Sequence, residues 1–173
     1  MLITQIGNYS LILGLFLSIF FIFYLILILY GFIKIKLNNI YSILFIQLFS
    51  VLISFFSLIY SFVISNFTNE TVYNNSHTTK PLFYKISGTW GNHEGSLLLW
   101  INILVLFSFL FLFLNKNGNK NFKIFTLLFQ NLLIVFFFIF LLTTSNPFST
   151  IYPIPAEGMG LNPILQDPAL AIH

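Results

Sequence analysis

The segment Gly88-Thr-Trp-Gly-Asn-His-Glu-Gly-Ser-Leu-Leu-Leu-Trp100 puts an imidazole and a carboxylate, His93 and Glu94, at the mouth of an apolar span, in a chain with only 6% charged residues. Polar chemistry at a membrane edge is costly and marks a site by default. The chain contains no Cys, so any cofactor ligand within it must be His or oxygen. Gly91 and Gly95 flank the pair, and small residues let a flat ligand or another backbone come close. Trp90 and Trp100 lie ten residues apart, roughly two to three helical turns. His93, Glu94, Trp90 and Trp100 are therefore candidates for one wall of a ligand or partner surface. The plainer reading is an interfacial aromatic anchor, with the His and Glu hydrogen-bonded to loop backbone. Ser96 is positioned to cap the adjoining apolar helix.

The second candidate is His173. Five prolines between Pro147 and Pro168 forbid a long regular helix and specify an extended or turned path that positions the residues at its end. Taken alone, a terminal histidine is more commonly a polar chain end than a ligand.

The elements that must hold these residues are membrane helices. The chain has 173 residues, 58% hydrophobic and 20% aromatic, which is too little polar surface to coat a soluble globule. The mean hydropathy of +0.94 agrees. The class is therefore an all-α integral membrane protein. Seven lysines against four acids, with no Arg, give a net charge of +3 that is too small and scattered for a nucleic-acid surface. The reliance on Phe, Ile, Leu, Asn, Lys and Tyr is the vocabulary of an AT-rich genome, for which a compact organellar genome is a natural source.

Crossing a bilayer core of about 30 Å takes roughly 20 apolar residues. Four segments qualify, at about 9–33, 40–64, 96–114 and 122–142, leaving a long loop at 65–95 and a tail at 145–173 within a single membrane unit, 1–173. The first segment is too long for a signal peptide and no cleavage site comes after it, so it is read as a retained span. Gln47, Asn102, Gln130 and Asn131 interrupt the spans and are expected to turn inward and bond a neighbouring helix. Lys34, Lys36, Lys116, Lys120 and Lys123 fall in or beside the short loops, against Lys80 and Lys85 in the long one. This asymmetry places the short loops in the matrix or cytoplasm. The long loop and the tail then share the outer face, where each is too short to bury a core alone, so they are expected to fold against each other. Asn66-Phe-Thr and Asn69-Glu-Thr match glycosylation acceptors formally, a match expected by chance in an Asn-rich chain.

The wording Trp-Gly-x-His-Glu-Gly-Ser-Leu-Leu-Leu-Trp closely resembles the CcmF family of cytochrome c haem lyases, membrane proteins that attach haem to apocytochrome c in bacteria and some mitochondria. Ile6-Gly-Asn8, Phe62 to Thr68 and Pro81 to Thr89 also look like the family. So does the tail, where Thr144-Ser-Asn-Pro-Phe148, Glu157-Gly158 and Leu161-Asn-Pro-Ile-Leu-Gln-Asp-Pro168 lead to His173. The resemblance covers nearly the whole chain and the N-terminal part of the family's length. It implies that His173 is one of two outer-face axial ligands to the haem being delivered, an atom type that suits haem iron. It implies further that haem arrives from a haem chaperone and that its vinyl groups meet the thiols of a Cys-x-x-Cys-His apocytochrome. The tryptophan-rich WWD segment, the second outer-face His and the two embedded His ligands of a structural haem b have no counterpart here, so partner chains would supply them.

The expected role is therefore the N-terminal piece of a CcmF-type haem lyase in cytochrome c maturation, not catalytic in isolation, with haem held transiently and shared with partner chains. The expected setting is the mitochondrial inner membrane, facing the intermembrane space, ahead of a bacterial inner membrane. The alternative is a structural subunit, derived from a haem lyase, that packs among respiratory-complex subunits and binds no haem. A transporter has little support, because the spans lack intramembrane ionisable residues.

Overall fold

The computed structural model describes residues 2–115, 118–160 and 169. Six helices run in chain order: α1 Leu2–Leu29, α2 Leu37–Val63, α3 Glu70–Asn75, α4 Leu82–Gly88, α5 His93–Leu114 and α6 Lys120–Thr144. Of these, α1, α2, α5 and α6 are long and apolar enough to cross a membrane. The all-α membrane class with four spans is thus what the chain adopts. Among the described residues no strand forms, only an isolated antiparallel bridge between Asn69 and Thr150.

The helices outrun the apolar segments. At 28 residues α1 is about 42 Å long, well beyond the hydrocarbon thickness, so its first turns, with Gln5 and Asn8, can stand at the interface. It stops where Gly31 adopts φ 79°, and the Gly31 and Phe32 amides fold back onto the carbonyls of Ile28 and Leu27. The start of α5 corrects the sequence expectation. Asn92, not Ser96, is its N-cap: Asn92 Oδ1 accepts from Gly95 N at 2.7 Å, whereas Ser96 Oγ donates to the His93 carbonyl. Asn92 wins because an Asx side chain at that position reaches the third helical amide while its own backbone stays extended.

The four long helices form a ring, α1 beside α2 and α6, and α5 beside the same two. Their interior has two apolar layers. One, towards the long loop, includes Leu11, Val51, Leu58, Leu98, Ile134 and Phe138; the other, towards the short loops, includes Phe21, Leu25, Leu44, Leu112 and Leu127. Between them lies a polar node. Gln47 Nε2 donates to Ser18 Oγ at 2.7 Å and to Asn131 Oδ1 at 3.1 Å, joining α2 to α1 and α6. Gln130 likewise reaches across to the Leu104 carbonyl of α5. Asn102 departs from the expectation: it bonds its own helix at Leu98, and its Oδ1 has no partner. A local carbonyl four residues back is always within reach of an Asn amide, so no neighbouring helix is needed.

Candidate functional site

At one end of the bundle the long loop and the tail close over the helix ends. Asn69 organises the junction. Its Oδ1 caps α3 through Val72 N, and its Nδ2 donates to the Pro147 carbonyl at 2.9 Å, with the residue fully buried. Glu70 N donates to Ser149 O and Ile151 N to Thr68 O, which produces the bridge. Further along, Met159 N and Gly160 N donate to the carbonyls of Tyr73 and Ser76. Gly158 lies so close to Ser76 that an added Cβ would collide with its carbonyl oxygen. Loop and tail are thus one packed layer as far as Gly160. The two formal glycosylation acceptors are consumed in it, since Asn66 Nδ2 donates to Thr4 Oγ1 of α1.

Glu157 locks this layer electrostatically. Its carboxylate accepts from Thr78 Oγ1 at 2.6 Å, Thr78 N at 2.9 Å and Gly158 N, with His77 3.8 Å away. The Thr78 hydroxyl and amide, followed by the Gly158 amide and His77, lower its pKa from 4.5 to about 2 against an opposing desolvation effect. His77, taken from the sequence as an idle loop residue, therefore sits beside the clasp. Lys85 reaches back to Ser65 Oγ, and burial lowers the pKa of Lys80, whose amine has no partner among the described residues.

The Gly88–Trp100 motif forms the corner from α4 into α5. Asn92 Nδ2 donates to the Gly88 carbonyl at 2.6 Å and the Thr89 carbonyl at 3.2 Å, tying the end of α4 to the start of α5. Gly95 is buried there because a Cβ would run into the Thr89 carbonyl. His93 is the first residue of α5 and exposed, its ring edge-on to Phe140 of α6 at 6.3 Å. Glu94, half-buried in the first turn, is favourably placed at the positive end of the helix. Trp100 lies seven residues beyond His93 on the same stripe and is 58% exposed. Trp90 is half-buried in the preceding turn.

The structure therefore brings His93, Trp100 and Phe140 onto one outward face of α5 and α6, and holds Trp90 and Glu94 at its upper edge. His173 lies outside the described residues. Among the described residues no three of His, Cys, Asp and Glu cluster as a metal site. Sequence reasoning missed Asn69, Asn92, Thr78 and Glu157 as the residues that shape this end. The signal for Asn92 was present, an Asx three residues ahead of Gly95; the other three act through partners far along the chain.

A family profile described as cytochrome C assembly protein matches residues 90–173. Over 123 residues the chain is 46% identical to the cytochrome c-type biogenesis protein CycK of Rhizobium meliloti, covering 71% of this chain and 18% of that protein. It is 38% identical over 125 residues to CcmF of Haemophilus influenzae and 37% over 125 to CcmF of Escherichia coli, 19% of each. The chain thus spans about a fifth of the length of these relatives. A solved cytochrome c haem lyase CcmF shares the fold, with a TM-score of 0.78 at 24% identity, over 87% of this chain and 25% of that one.

Proposed function

This chain belongs to the CcmF-type cytochrome c assembly family, and on that premise we propose that it takes part in cytochrome c maturation as one piece of a membrane haem lyase. The observation that carries the reading is that the family match spans both the His93 corner and the tail, two stretches held at one end of a four-helix membrane bundle. Haem is the cargo, and its vinyl groups are what the apocytochrome thiols would meet. The residues present suit it: an exposed imidazole edge-on to an aromatic ring, with a tryptophan below on the same stripe, offers a nitrogen donor and a flat apolar wall. In this reading His93, Trp100, Trp90 and Glu94 shape the wall, and His173 presents a neutral ring nitrogen to iron. The chain's work is to hold and orient.

The lyase reading requires partner chains that carry a second axial histidine and the haem-accepting segment, together with a haem donor and apocytochrome c. The lysine asymmetry supports an outer-face location for loop and tail. The named relatives are bacterial and favour a bacterial inner membrane; the AT-rich vocabulary is the support for the mitochondrial one. The test is haem retention in the purified native assembly. His173→Ala should lose haem and block maturation, His93→Ala should weaken both, and His77→Ala should leave both near normal. Normal haem content and maturation with His173→Ala would overturn the reading in favour of a structural subunit without haem.

A further inference from the structure

The bridge between loop and tail leaves one backbone edge unused. In an antiparallel pair of this kind, the ladder bonds come from the residues on either side of the bridged pair, and the bridged residues' own N–H and C=O groups point outward. The bonds present, Glu70 N to Ser149 O and Ile151 N to Thr68 O, are of that kind. The Thr150 amide and carbonyl therefore point away from the loop, have no partner among the described residues, and belong to an exposed residue. They border a cavity of about 230 Å³ whose lining includes Gln5, Asn8, Tyr9, Thr150 and Tyr152. Tyr9 and Tyr152 stand 68% and 60% exposed.

We infer that this edge is a docking site for an extended segment of a partner polypeptide, which pairs its backbone with Thr150 while the amides of Gln5 and Asn8 and the rings of Tyr9 and Tyr152 grip it. The lining decides the class of occupant. It holds amides, hydroxyls and two phenol rings but no cation, so it offers nothing to a lipid phosphate or a propionate. A donor and an acceptor side by side on a strand edge are what an extended chain completes, and side-chain amides suit peptide groups. The identity of the segment, though not its chemistry, rests on the maturation reading above: the unfolded polypeptide in that process is apocytochrome c.

The test uses the full chain in lipid nanodiscs and a short fluorescent peptide containing Cys-x-x-Cys-His with alkylated thiols, so that neither haem nor thiol chemistry contributes. The peptide should bind, and a scrambled version should bind equally well, because the backbone is what is read. N-methylation of alternate peptide amides, or Thr150→Pro, should weaken binding about tenfold or more. Proline there removes the outward N–H but neither bridge bond. Gln5→Leu, an exposed change on α1, supplies a second variant that leaves the fold intact and should weaken binding several-fold. Equal affinity for the methylated and parent peptides, or no loss in Gln5→Leu and Thr150→Pro together, overturns the inference. Haem retention read in parallel keeps the two ideas apart. Absent peptide binding with His173-dependent haem sinks only this one, and peptide binding with haem independent of His173 sinks only the lyase reading.

Discussion

Replacing Asn92 tests the corner that carries His93. Asn92→Ala removes the cap on Gly95 N, worth about 1 kcal/mol. It also removes the donor shared between the Gly88 and Thr89 carbonyls, which at 2.6 and 3.2 Å adds about 1 kcal/mol more. The expected loss is about 2 kcal/mol, or roughly 4–8 °C in thermal midpoint for a chain of this size. Ser96→Ala removes only an exposed bond to the His93 carbonyl and should cost no more than about 0.5 kcal/mol. Asn92→Asp keeps the acceptor but loses both donors, and should fall between. Thermal unfolding of the chain in detergent, followed by near-ultraviolet circular dichroism, reads the three values. Hydrogen exchange at the Gly95 amide locates the effect, since only the Asn92 variants should release it. A Ser96→Ala loss equal to that of Asn92→Ala would refute the assignment of the cap.

Because the folded pKa of Glu157 lies below its usual value, its hold on Thr78 should be complete above about pH 4.5 and fade as the pH falls towards about 2. Spin-label distances between Asn74 and Met159 should stay constant down to pH 5, lengthen below pH 4, and lengthen at neutral pH in Glu157→Gln. Gln47→Leu should change stability by less than about 1 kcal/mol, because it removes two interhelical bonds but also the buried, unpartnered Oε1; a larger loss in a thermal scan would mean the node does more than tie helices. Tags in the 65–95 loop and after residue 144 should both be accessible from the outer side of sealed vesicles, and a tag between α1 and α2 should be protected. A tail protected together with that short loop would contradict the sidedness.

Hydropathy is a local property, and so the class, the four spans and the loop between the second and third were legible from the residues alone. The expected docking of loop on tail was legible too, because two short polar segments leaving the same bundle end have few other ways to cover backbone groups. What could not be read is which side of each span faces inward. Phe129 and Phe138 lie on α6 nine residues apart, and one is 68% exposed while the other is fully buried. In a membrane the lipid-facing and core-facing sides are equally apolar, so composition does not separate them. Only packing places Gln47 between Ser18 and Asn131, residues 29 and 84 positions away in the chain. Only packing turns the Asn69 acceptor match into a buried brace on Pro147, and sets the His93 ring against Phe140. The residues that bear the chemistry were named by their types and spacing; their facing, their neighbours and the free edge at Thr150 exist because distant segments meet at one end of the bundle.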